Sequence, residues 1–238
     1  MRAVGSAFLA LIISVRGAVA AAETVDYRTS DGVEIVADLL VPPEYHQAMV
    51  LFHRDGDDAS ELAALPAALE AEGFAVLVPD RRGHGRSGAP ERPIRQSDNA
   101  AWLRDGPAAV AFLHERFGAD VTVGFVGLGS GAELAARTAA NTAGTGALVL
   151  FDPDEALTGL ASLQPGTGTS RPCLILAGRE DARTREAARA LFLLRPRHAQ
   201  LWLLDGNARI GDVLLGRADF AGDLASWIAR GGVEQGDR

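Results

Sequence analysis

Short, uninterrupted apolar runs separated by segments of helical periodicity recur along this chain, and no other feature restricts its fold as strongly. Ala48–Phe52, Phe74–Val78, Val121–Val126, Ala147–Phe151, Cys173–Ala177 and Leu201–Leu204 are the runs. A strand with one wet face alternates apolar and polar residues, so an unbroken run belongs to a strand covered on both faces. Between the runs, helical spacing covers Leu62, Leu65 and Leu69 up to Gly73, then Trp102–Phe117, Ala132–Ala140, Arg183–Leu194 and Phe220–Ala229. Ahead of them, Thr24–Arg28 and Val33–Val41 flank Ser30-Asp31-Gly32, which predicts a hairpin of two antiparallel strands. The prediction is an α/β domain over residues 23–238, a mostly parallel sheet of about eight strands with helices on both faces. The stretch from Asp152 to Pro172 has room for one short helix and for no lid domain.

Charge and cysteine content narrow the partners. A net charge of −8 disfavours non-specific attraction to nucleic acid or to anionic membranes, since both need a basic face. Cys173 is the only cysteine, so there is neither an intrachain disulfide nor a cysteine zinc site, and the five histidines lack metal-ligand spacing. No metal or cofactor is expected. Residues 1–22 carry Arg2, an apolar stretch Phe8–Val15 interrupted behind by Arg16, and small residues ending at Ala20 or Ala22. That is the pattern of a cleaved signal peptide, which predicts export and no stable membrane span after leader removal. The alternative is an N-terminal cytosolic helix or anchor.

In an open parallel sheet, ligands gather beyond the carboxyl ends of the strands, so the residues after each apolar run matter most. They are His53-Arg54-Asp55-Gly56, then Asp80-Arg81-Arg82-Gly83-His84-Gly85-Arg86-Ser87, then Gly127-Leu128-Gly129-Ser130-Gly131. From about Thr24 onward the chain resembles the α/β-hydrolase superfamily, with its small lidless dienelactone-hydrolase-like and serine-aminopeptidase-like members the nearest in build. The resemblance implies a nucleophile elbow, Gly-x-Ser-x-Gly, on a strained strand-to-helix turn. Gly127 and Gly131 occupy the flanks, which places Gly129 where the serine belongs and Ser130 one position late, as a capping or packing residue. Shifting the register to centre Ser130 would set Leu128 at a flank where a small residue is needed.

The resemblance further assigns Asp181, in Leu174-Ile175-Leu176-Ala177-Gly178-Arg179-Glu180-Asp181, to the triad acid. The histidine position falls on Arg209, or on Ile210 one place later, and no histidine follows His198. His198 and His46 precede strands and belong at the far end of the sheet. Glycine offers no nucleophile, and arginine stays protonated, so it cannot act as the base. Once one triad member is lost the others contribute little, so the second loss is unopposed. The oxyanion hole is made of backbone N–H groups, here Ser130 and a residue near Arg54, with His53 expected alongside, and backbone donors survive side-chain substitution. An ion pair between Asp181 and Arg209 is the expected use of the vacated triad. The sequence therefore points to a hydrolase-fold protein that has lost serine chemistry and binds a small anionic or acyl ligand, or serves as an accessory protein with no partner identified. The alternative is a weak serine esterase or peptidase-like hydrolase using Ser130, helped by His53 or His84.

Overall fold

The computed structural model describes residues 21–88, 100–153, 172–194, 199–206, 209–215 and 217–232. All but the last two residues of the expected leader lie outside that set, as does His198. Eight strands form one sheet: β1 (Glu23–Arg28), β2 (Glu34–Leu40), β3 (Gln47–Phe52), β4 (Phe74–Pro79), β5 (Val123–Leu128), β6 (Leu148–Phe151), β7 (Cys173–Gly178) and β8 (Ala199–Leu204). Their spatial order is β1-β2-β4-β3-β5-β6-β7-β8. β2 is antiparallel to both β1 and β4, and every later pairing is parallel.

The unbroken apolar runs have the expected cause. Ala48, Val50 and Phe52 of β3 face one core layer, while Met49 and Leu51 face the other. β7 repeats this with Cys173, Ile175 and Ala177 against Leu174 and Leu176. Helices α2 (Asp105–Phe117), α3 (Ser130–Asn141) and α4 (Ala182–Leu194) cover the first layer. α1 (Leu65–Ala71), α5 (Ile210–Leu215) and α6 (Ala218–Ala229) cover the second. No lid domain is present among the described residues, and none of their helices is long and apolar enough to cross a membrane.

Two local expectations change. The helix read from Leu62 onward is split into a 3₁₀ turn, Ala59–Leu62, and α1, because Pro66 lacks an N–H and fits only a first helical turn. α5 was not predicted: six residues are too few for periodicity to show. The chain passes from β3 to β4 on one side and then to β5 on the other, so the strand order reverses between β3 and β5. Their carboxyl ends diverge there, and that crevice is where an open α/β sheet binds ligands.

Candidate functional site

The turn between β5 and α3 has the geometry of a nucleophile elbow, with glycine at its apex. Gly129 adopts φ 54° and ψ −117°, a conformation strained for any residue with a side chain. The flanking glycines are required by contact. A Cβ on Gly127 would lie 2.3 Å from the Gly131 carbonyl oxygen, and one on Gly131 would lie 2.3 Å from that of Phe52. This close approach fixes the register, so Gly129 occupies the nucleophile position and Ser130 is the first residue of α3.

Ser130 is neither a helix cap nor a free hydroxyl. Its Oγ makes no capping bond to α3; it accepts from the Asp55 amide at 2.8 Å and from Arg81 Nη1 at 3.0 Å. The expected capping role is thereby corrected: the side chain reaches across to the loops after β3 and β4, which offer donors that the first turn of α3 does not. The same bonds change the oxyanion hole. The Asp55 amide is taken by Ser130, and the Arg54 amide donates to Glu61 Oε2 at 3.0 Å.

Neither His53 nor His84 is hydrogen-bonded to Ser130 Oγ. His53 is fully buried, its Nδ1 2.6 Å from the Arg54 carbonyl and its Nε2 accepting from the Arg81 amide at 2.8 Å. These bonds set a neutral ring with its proton on Nδ1, and desolvation lowers its pKa from 6.5 to about 4. His84 is engaged at both nitrogens too, Nδ1 2.9 Å from the Arg82 carbonyl and Nε2 3.1 Å from both the Gly56 amide nitrogen and Asp55 Oδ1. Arg82 in turn is held by Asp105 and Asp31, at 2.7 and 2.8 Å, which ties the turn after β4 to α2 and to the β1–β2 hairpin.

On the other side of the elbow, Asp181 immediately precedes α4, its Oδ1 accepting from the amides of Arg183 at 3.0 Å and Thr184 at 3.3 Å. Asp181 and Arg209 line one pocket of about 330 Å³, together with Arg54, Gly129 and Ser130. Five of the six expected residues therefore converge; His53 is not in the pocket wall. The expected Asp181–Arg209 ion pair is not formed among the described residues, since helix capping orients the Asp181 carboxylate toward its own backbone. Arg54 bridges two acids, with Nε 2.5 Å from Glu61 Oε1, too bent for a hydrogen bond, and Nη2 bonded to Asp212 of α5. Burial pushes the Glu61 carboxyl up despite this contact.

Sequence reasoning missed Asp152. It follows β6 directly, is 6% exposed and has φ 46°, the one positive value outside glycine among the described residues. Its Oδ2 accepts from the Gly211 amide at 2.8 Å, beside the Ile210 amide, so it caps the short helix that occupies the histidine neighbourhood. Burial raises its pKa. The available signal was position: Asp152 is the residue after an apolar run, where the sheet delivers its functional groups.

The family profile described as serine aminopeptidase, S33, matches residues 43–154. An esterase of Pyrococcus furiosus superposes with TM-score 0.69 at 17% identity, covering 90% of this chain and 92% of its own. A putative alpha/beta hydrolase from Agrobacterium tumefaciens gives 0.71 at 14%, covering 87% and 95%. A bottromycin epimerase solved with bottromycin A2 gives 0.64 at 17%, covering 87% and 99%. No curated protein sequence matches the chain. At these identities the structural likeness establishes the fold.

Proposed function

We propose that this α/β-hydrolase-fold chain is a binding or accessory protein, exported after loss of its leader, that holds a small ligand at the elbow where the Gly-x-Ser-x-Gly motif would place a nucleophile. The observation that carries this reading is the pairing of Gly129 at the apex of an intact elbow with a Ser130 hydroxyl held by two donors and no base. A serine oxygen attacks an acyl carbon only when a base within hydrogen-bond reach takes its proton. Here the two nearest imidazoles have both nitrogens engaged, and the histidine position carries Arg209.

The family profile and the esterases among the structural neighbours favour a second reading, a weak acyl hydrolase acting through Ser130. Hydrolysis of short-chain p-nitrophenyl esters separates the two. The binding reading predicts turnover no faster than that of a Ser130→Ala variant. Turnover that Ser130→Ala abolishes would establish the hydrolase instead.

A further inference from the structure

The polar groups around the elbow do not balance among themselves. Among the described residues, six side chains hold a buried polar atom without a hydrogen-bond partner: Tyr27, Arg54, Glu61, Arg81, Asp152 and Thr184. Tyr27 lies elsewhere, on β1. Arg54 Nε and Glu61 Oε1 lie against each other in an ion contact, and Arg81 is bonded to Ser130, which leaves Asp152 Oδ1 and Thr184 Oγ1 as the partnerless atoms in the wall of the elbow pocket. Buried polar atoms in folded proteins are almost always paired, so two exceptions in one pocket wall ask for a polar occupant.

The sign of that occupant follows from the charges. Arg54 is shared by two acids, Glu61 and Asp212, so these three groups together leave one negative charge in excess. The pocket wall otherwise presents the carboxylates of Asp55, Asp152 and Asp181 against Arg183 and Arg209. A second anion in this setting would meet net repulsion, whereas a cation with N–H donors relieves it. Asp152 is the group that most needs such a donor. Its backbone is strained, its carboxylate is 6% exposed, Oδ2 is bonded to Gly211, and Oδ1 has no partner. Strained non-glycine residues persist where the surrounding structure holds them for a use.

Resting on the binding reading above, we propose that the pocket takes a small ligand bearing a protonated primary amine, whose N–H groups are accepted by the Asp152 carboxylate with Asp181 close by. The charge balance thus replaces the anionic ligand expected from the oxyanion hole. A pocket of about 330 Å³ admits an amine of a few carbons with room for a polar group near Arg209.

The test uses three probes of equal length, n-propylamine, n-propanol and propionate, titrated at neutral pH into the ¹⁵N-labelled protein while the Ser130 and Gly211 amides are followed. The expected result is a saturable shift with propylamine alone, weakened at least tenfold in Asp152→Asn, whose amide oxygen still accepts from Gly211 and so keeps the α5 cap. An unchanged thermal midpoint in that variant confirms the cap. Propionate binding as tightly as propylamine, unchanged propylamine affinity in Asp152→Asn, or no saturable shift up to tens of millimolar would each overturn the inference. None of those results bears on catalysis, which the ester assay decides separately.

Discussion

The two sides of the elbow differ in how their polar groups are used. Toward β3 and β4, side chains mostly bind one another and the backbone: His53 joins two loops, Ser130 joins α3 to both, and Arg82 ties the β4 turn to α2, with Arg54 Nε, Glu61 Oε1 and Arg81 Nε the atoms left outside a hydrogen bond. Toward β6 and β7, Asp152 and Thr184 keep buried atoms without partners, and Asp181 and Arg209 share a pocket without pairing. On one side of the elbow the polar groups serve the structure, while on the other they face a pocket. Closed networks contribute stability, and unpaired buried groups diminish it.

The strongest challenge to this contrast is steric. Gly131→Ala would bring a Cβ within 2.3 Å of the Phe52 carbonyl and should cost about 3 kcal/mol or more, read as a lower urea midpoint. A midpoint near wild type would mean that β5 and α3 do not approach β3 as described. Next in size is the buried imidazole. In the folded chain the neutral ring is favoured, so stability is full above pH 6.5 and falls as pH drops toward 4, where the unfolded chain takes up the proton first. The loss is on the order of 3 kcal/mol, and it should vanish from the wild-type minus His53→Gln difference if another group is responsible.

Smaller effects sharpen the comparison by their signs. Ser130→Ala leaves the Asp55 amide and Arg81 Nη1 each short of an acceptor and should destabilise by about 1–2 kcal/mol. Thr184→Val removes a buried hydroxyl oxygen that has no partner, so it should be neutral or stabilising by up to about 1 kcal/mol. Opposite signs in thermal or urea denaturation would confirm that one side is wired and the other open. Equal losses would erase the distinction.

Much of the fold was legible because burial on both faces leaves a continuous apolar signature, visible in β3 and β7 as alternate residues assigned to two core layers. Boundaries were less so. β5 runs to Leu128 rather than Val126, because the close approach of Gly127 to α3 keeps the strand extended up to the elbow. At the site, the sequence located Gly129, Asp181 and Arg209, since each follows a strand. It did not reveal the bridge from Arg54 to Asp212, which joins residues 158 positions apart through side chains, or the cap that Asp152 places on α5. Periodicity reports which face of an element is buried; it carries no information about which polar partners meet across a crevice.

An elbow that holds no usable nucleophile cannot be captured covalently. Incubation of the folded protein with an excess of a fluorophosphonate, followed by intact-mass measurement, should leave the mass unchanged. A single adduct that maps to Ser130 and is absent from Ser130→Ala would contradict the account and restore this chain to the serine hydrolases.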